Sequence, residues 1–599
     1  MTEESQRWPT SRVRQLALAV GLLQTTLVTW VVWTSGYLND DYLFLSLARK
    51  GGFSGTQLTR SVYGSVIPGF QLGNSLLASL HPLPRWPAVV IPVVLYALAL
   101  TVFYRLAELL FGPRPILIPL MAVAGFSGVL ATSLVWWTAG LNSLPALVFD
   151  LLALDGLVRH AATGKRRHLV VSVISFALGI AFYDASASFL AVLVVFTAVY
   201  LVDHRDWRAF LRGLTRRGWL WAAYAVPIAL NLLWRSLHPK EYVLSPLPSV
   251  ETALRFIGSG WAQGFVLSSF GITFSKLSQG WPRVLLVVVG QCLFFGLVAA
   301  TIYRRRAAWK AWAVFGSGFL AIEVLAAVGR GGYGNVFAIN TVYWTVQPFM
   351  LSLAVGLAFL PSTLGIAAPS PQKASRRPIP KVSVNRELAV IGATVVALCG
   401  SGVAAFWTAN FRSQGATNHT FVENLGRSWN RVQAQSPHPF IWNTEVPGVI
   451  ISPLFTPYNR VATTAGLLID LRVDSIRGTG YLVSDDGNLV PASVNVVSRA
   501  SLGRRTSCFS PRTRSRTASV ALNAVVPDGN WFLRVSYSRS SGFSTTVDGA
   551  PVHFAKGSGG FLTPDSADIG KSTFSIKVPA EASACLTAAA VEAPVARPG

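Results

Sequence analysis

The stretch Asn39-Asp40-Asp41-Tyr42 directly follows the first long apolar run. Two adjacent carboxylates at a membrane surface can act as a general base and as a ligand for a cation or an acceptor hydroxyl. The plainer reading is a helix cap followed by a solvated charge. A second group is the turn Trp136-Trp137-Thr138-Ala139-Gly140-Leu141-Asn142. Paired tryptophans at a helix end usually anchor it at the membrane interface. The alternative is a stacking platform for a sugar ring or a polyprenyl chain, with Asn142 as a hydrogen-bonder. Asp150 and Glu323 lie inside apolar runs and Asp184 at the end of one. A central Asp costs about 2.5–3.5 kcal/mol on insertion scales, so it needs a partner or a role. Arg330 opens the loop Arg330-Gly331-Gly332-Tyr333-Gly334-Asn335, and Arg49, Lys50 and Arg60 follow the acidic pair. An arginine at a helix end can hold a lipid phosphate by two parallel bonds, or simply reach for headgroups.

These residues are positioned by elements that are mostly apolar. The chain has 599 residues, is 51% hydrophobic and 13% charged, and has a mean hydropathy of +0.46. A soluble domain carries about 25% charged residues, so much of this chain faces no water. A spanning helix needs about 20 apolar residues. About eleven stretches qualify on that measure, near 15–38, 86–109, 115–136, 141–158, 168–184, 186–202, 218–236, 283–303, 310–328, 342–361 and 388–408. The expected fold class is therefore an α-helical polytopic membrane bundle, residues 1–408, with long connections at 39–85 and 237–282. Within these, Asn74–Leu80 and Thr252–Phe270 read as helices lying in the membrane interface. The first run is too long for a signal peptide and lacks a small-x-small cleavage site.

The net charge of +25 sits in short clusters between the apolar runs: Lys165, Arg166 and Arg167; Arg205 to Arg217; Arg304, Arg305 and Arg306; Lys373 to Arg386. That is the positive-inside pattern and argues against a nucleic-acid partner. It predicts a multi-pass protein of the plasma (inner) membrane with its N-terminus cytoplasmic. The acidic pair and everything after residue 409 then lie outside the cytoplasm.

From 409 the composition shifts to Ser, Thr, Arg and Gly. A helix near 419–434 leads in. Alternating stretches such as Leu467–Val473 and Trp531–Tyr537 follow, with turns at Asp486-Gly487, Asp528-Gly529 and Asp548-Gly549. This predicts an all-β sandwich-like domain over 409–588 and a disordered tail over 589–599. Cys508 and Cys585 fall in this domain, and outside the cytoplasm they can pair. Cys292 and Cys399 read as buried thiols. No Cys/His cluster of metal-ligand spacing is present. A divalent cation, Mg or Mn, is compatible with the acidic pair, but no dense oxygen cluster demands one.

Taken together, these features resemble the C-type (GT-C) superfamily of polytopic membrane glycosyltransferases. The resemblance rests on Asp40-Asp41-Tyr42-Leu43-Phe44-Leu45 in the first loop. It extends to Trp136–Asn142, Phe182-Tyr183-Asp184, and the Val446-Pro447 to Tyr458-Asn459 segment, which looks like the outer-domain entry of actinobacterial members. High Arg, Ala and Val usage suits a high-GC actinobacterium and hence a cell-wall glycan. The resemblance implies transfer of a sugar from a polyprenyl-phosphate donor to a cell-envelope glycan acceptor, with inversion. Asp40 or Asp41 would be the base. Arg330, Arg49 and Arg60 would bind the donor phosphate. Tyr42, Trp136, Trp137, Asn142, Asp184 and Tyr343 would line the substrate site. The chain departs from the family pattern at Asp184-Ala185, where an acid and Lys are usual, and at Val342-Tyr343, where Arg-Tyr is usual. Those lost cations keep open a non-catalytic envelope scaffold or inactive homologue. Asp150 and Glu323 keep open a transporter or flippase of a lipid-linked glycan.

Overall fold

The structure is a computed structural model. It describes residues 9–61, 65–80, 82–202, 213, 215, 218–237, 247–271, 281–333, 335–360, 400–403, 406, 410–452, 458–469, 479–501, 508–509, 517–522, 532–539, 543–547, 550–554, 557–564, 573–577 and 584–596. The chain divides into two compact units, Met1–Ser79 with Arg85–Ala416, and Leu80–Pro84 with Thr417–Gly599.

The first unit is helical. Its main helices are α1 (Thr10–Val32), α2 (Asp40–Gly51), α3 (Pro68–Ala78), α4 (Trp86–Phe111), α5 (Leu117–Gly125), α6 (Trp137–Thr163), α7 (Arg166–Phe182) and α8 (Phe189–Phe196). Then come α9 (Gly218–Leu237), α10 (Val250–Ser259), α11 (Trp281–Arg304), α12 (Trp309–Arg330) and α13 (Gln347–Phe359). Among the described residues, eight segments are long and apolar enough to cross a membrane: Thr10–Val32, Trp86–Phe111, Leu117–Val135, Trp137–Thr163, Asp184–Leu201, Arg283–Arg304, Arg306–Arg330 and Thr341–Phe359. The protein is thus a multi-pass membrane protein, but the count of eleven is not reached. The 17-residue α7, and α9 with its Asn231 and Arg235, are helical without combining that length and apolarity. The stretch 388–408 lies outside the described residues.

Local sequence explains the boundaries. Pro87 sits in the first turn of α4 and Pro68 opens α3, where a missing N–H costs nothing. Gly164 ends α6 in the left-handed conformation, φ 67°, that a side chain would resist. Tyr183 breaks the apolar run between α7 and the Asp184–Ser188 turn. One apolar core joins the helices, with Phe103 against Phe349 at 5.4 Å and Phe176 against Tyr224 at 5.6 Å. Leu285, Val288, Leu293 and Phe295 of α11 are instead exposed, as a lipid-facing surface requires.

The second unit contains most of α14 (Asn410–Gln435), then α15 (Val461–Leu468) and, among the described residues, eleven strands. Those named below are β1 (Phe440–Ile441), β2 (Gly480–Val483), β3 (Leu489–Ser501), β4 (Cys508–Phe509), β5 (Thr517–Leu522), β6 (Phe532–Arg539), β7 (Phe543–Val547), β8 (Ala550–Phe554), β9 (Gly557–Pro564), β10 (Thr573–Lys577) and β11 (Ala584–Ala596). Their order is β8-β7-β10-β5-β3-β11-β6-β9, with β1, β2 and β4 paired off this path. β1 and β2 are parallel and the other described pairs antiparallel. The all-β expectation stands, with two corrections. Residues 589–596 are not a disordered tail: they extend β11, which pairs along its length with β3 and β6 and buries Ala589 and Val591. Leu467 and Leu468 end a helix rather than open a strand, and 470–478 lie outside the described residues. The Asp486-Gly487 turn is present, with Gly487 at φ 88°; Asp528-Gly529 and Asp548-Gly549 lie outside the described residues.

Cys508 and Cys585 are opposed on β4 and β11 and disulfide-bonded across a separation of 77 residues. Closing a loop of that length restricts the unfolded chain, so reduction is expected to destabilise this unit by about 2–4 kcal/mol. Denaturant unfolding of the purified chain, followed by its β-sheet circular dichroism with and without reductant, measures it. Coincident curves would show the bond to be stability-neutral.

Candidate functional site

The acidic pair heads α2. Asn39 precedes it at φ 39° and ψ −109°, a positive-φ conformation outside the left-handed helical region that is unfavourable for any residue with a side chain. This bend turns the chain out of the first spanning helix, so both carboxylates enter the first turn of α2. Backbone strain of this kind costs about 1–3 kcal/mol and gathers at functional sites.

The two carboxylates have different surroundings. Asp41 is fully buried. Its Oδ2 accepts from the Leu38 backbone N–H at 2.7 Å, and its Oδ1 from the Thr138 backbone N–H at 2.8 Å and the Thr138 hydroxyl. It therefore ties the start of α2 to the start of α6. Asp40 is only half-buried, and its Oδ1 accepts from the Trp136 indole at 3.0 Å. Burial pushes the Asp40 carboxyl well above the usual range, and the neighbouring Asp41 charge adds to this. The Trp136 hydrogen bond and the Arg330 charge oppose the rise without cancelling it. Burial raises the Asp41 carboxyl too, against its hydrogen bonds from Thr138 and Leu38.

Arg330, the last residue of α12, is half-buried and within electrostatic reach of Asp40 and of Tyr343. Tyr183 lies in electrostatic reach of Arg330, Tyr343 and Asp184. Asp184 Oδ2 accepts from the Ser65 hydroxyl at 2.6 Å and faces the Arg235 guanidinium of α9 at 3.4 Å. Asp40, Trp136, Arg330, Tyr343, Tyr183 and Asp184 thus form one polar group, joined by a hydrogen bond between Asp40 and Trp136 and elsewhere by charge acting over a longer range. Beneath Tyr183 and Tyr343 lies a cavity of about 20 Å³ that also meets Asp150, Ser186 and Gln347.

No protein-family model and no curated protein matches the sequence. Among solved structures the chain is similar to ArnT from Cupriavidus metallidurans bound to undecaprenyl phosphate. That match has 15% identity and a TM-score of 0.42, covering 77% of this chain and 86% of that one. It is similar to the arabinosyltransferase EmbB from Mycobacterium smegmatis at 11% identity and a TM-score of 0.27, covering 96% of this chain and 64% of that one. It is also similar to the arabinofuranosyltransferase AftD from Mycobacteria at 12% identity and a TM-score of 0.35, covering 99% and 61%. These are likenesses in the course of the chain, so the chemistry has to be read from the side chains here.

Not every expected residue joins the group. Trp137 is no stacking platform: its ring is buried and its indole N–H donates to Asn74 Oδ1 of α3 at 3.0 Å. Tyr42 is likewise buried, where α2 packs on α3. Arg49 sits nine residues along α2 from Asp40, about 14 Å at the helical rise. Arg60 donates to Gln57 Oε1 at 3.4 Å in its own turn. The Asn142 Oδ1 is buried without a hydrogen-bond partner among the described residues. Conversely, Thr138, Ser65 and Arg235 were not singled out. Only Arg235 left a signal, as the one charge in the apolar run 218–236.

Proposed function

We propose that the protein is an inverting membrane glycosyltransferase. It moves a sugar from a polyprenyl-phosphate donor to a hydroxyl of a cell-envelope glycan or lipid on the non-cytoplasmic side. The observation that carries this reading is Asp40 within electrostatic reach of Arg330: a carboxyl of raised basicity lies within charge–charge range of a cation. Arg330 takes the charge that develops on the departing phosphate. Asp40 takes the proton of the acceptor hydroxyl as that oxygen bonds to the anomeric carbon and the phosphate leaves. Asp41 positions Asp40, and the half-buried Trp136 flanks the sugar. Arg235, paired with Asp184, supplies from α9 a cation near the position where Ala185 lacks one. That weighs against an inactive homologue.

The acidic pair fits Mg or Mn poorly. Three donors already occupy the Asp41 carboxylate, which leaves it a single acceptor position, on Oδ2, and no step is assigned to a metal. A transport path is not supported either: the cavity that Asp150 lines does not include Glu323, which is buried against Trp344.

The test is transfer of labelled sugar from a panel of polyprenyl-phosphate donors in membranes with and without the protein. Label incorporated only where the protein is present supports the reading; equal incorporation across the panel sinks it.

A further inference from the structure

Asp150 lies midway along α6 and is buried. Its Oδ1 accepts from the Ser186 hydroxyl. Among the described residues no Lys, Arg or His pairs with it, and its second oxygen takes no hydrogen bond. A carboxyl inside a spanning helix needs a partner. The space beside it shows what kind.

The cavity of about 20 Å³ beneath Tyr183 and Tyr343 meets this carboxyl, and it takes one guest the size of a water molecule. Ser143, Ser186, Thr345 and Gln347 share its wall. They come from separate parts of the chain. Ser143 stands two turns before Asp150 on the same face of α6. Ser186 belongs to the Asp184–Ser188 turn, and Gln347 opens α13 directly after Thr345. The hydrogens of three of these hydroxyls are already committed. Ser186 donates to Asp150, Ser143 to the Ala139 carbonyl at 2.7 Å, and Thr345 to the Val342 carbonyl at 2.9 Å. What they have left is lone pairs. Gln347 is 1% exposed, and its Oε1 has no hydrogen-bond partner among the described residues. The backbone of α7 closes in on the same place: a Cβ at Gly179 would lie 2.7 Å from the Ser186 Oγ and 3.0 Å from the Asp150 Oδ1.

A water molecule would bring two hydrogens to more acceptors than two, and would leave the carboxylate charge unpaired. A cation meets every lone pair and cancels the charge. The ligand set selects the ion. All the donors are oxygens, as hard cations require. One carboxylate with room for one guest matches a single positive charge, and a guest the size of water is sodium rather than the larger potassium. Magnesium keeps several of its waters, and the cavity has no space for them.

We propose that this cavity is a buried sodium site. The Asp150 carboxylate is its charged ligand, and Ser143, Ser186, Thr345 and Gln347 are its neutral oxygen ligands. The ion ties α6, the Asp184–Ser188 turn and the start of α13 together beneath Tyr183 and Tyr343. The site stands whether or not the chain transfers sugar.

The test is thermal unfolding of the purified full chain in detergent, in sodium, potassium or choline chloride at equal ionic strength. Binding of radioactive sodium to the same protein is measured alongside. Saturating sodium is expected to raise Tm by about 3–6 °C over choline, as a ligand bound only by the folded chain does. Potassium gives less than half of that shift, and one sodium binds per chain. Asp150→Asn keeps the shape but loses the charge, so the sodium midpoint moves up at least about 10-fold or the response vanishes. Gln347→Leu moves it up about 3–10-fold, and it stands in if Asp150→Asn fails to fold. Equal shifts in all three salts, or a wild type that neither binds sodium nor responds to it, would show that the cavity holds water alone and overturn the site. A sodium response undiminished in both variants places the ion elsewhere and overturns it too.

Discussion

Asp40→Asn is expected to lower the rate of sugar transfer by about 10²–10⁴-fold while leaving donor binding within a few-fold of wild type. The amide keeps the size of the carboxyl, and its oxygen can still accept from the Trp136 indole, so the local packing survives. What it loses is the capacity to take a proton. The pH dependence is the more specific readout. A base works only when ionised, and burial together with the Asp41 charge raises the Asp40 carboxyl. Activity should therefore climb with pH along an acid limb lying above the ordinary carboxylate range. Arg330 favours the ionised form, so removing its charge moves that limb further up. Asp41→Asn should behave differently. Asp41 accepts three hydrogen bonds, and an amide must turn its NH₂ toward one of those donors. Its loss should appear as a lowered melting temperature along with lost activity. An Asp40→Asn enzyme with wild-type kcat and an unchanged profile would remove Asp40 from the role of base.

The acidic pair was legible because charge is conspicuous at the end of an apolar run, and the spans because hydropathy reports length directly. The division of labour within the pair was not. Asp40 and Asp41 are chemically identical in sequence, and they are distinguished by the arrival of Trp136 at the one and of Thr138, 97 positions away, at the other. Trp136 and Trp137 failed the same way. Adjacent residues at a helix start point in different directions, so one indole meets Asp40 and the other is buried on Asn74. Arg235 meets Asp184 from a different helix, a pairing that no local motif could reveal. The tail was misread because Ala588 to Ala596 has the small, weakly patterned side chains of a disordered end. β11 is nonetheless held between two strands, β3 and β6, whose ladders satisfy its backbone.

Arg330→Gln should lower kcat/KM for the polyprenyl-phosphate donor by about 10²–10³-fold, the usual cost of removing a donor aimed at developing charge. The loss should fall on kcat as well as KM, because the phosphate gains charge as the glycosidic bond breaks and a cation stabilises that state more than the bound donor. Arg330→Lys separates charge from shape. Lysine restores the positive charge but not the planar fork that can hold two phosphate oxygens at once. A partial recovery is therefore expected, with the acid limb set by Asp40 returned toward wild type while kcat stays depressed. Full recovery by lysine would mean that Arg330 acts as a point charge, with no part played by the fork of its guanidinium. An Arg330→Gln protein with unaltered kinetics would move the phosphate elsewhere, with Arg235 the next cation to test: it is half-buried and reaches the same polar group through Asp184.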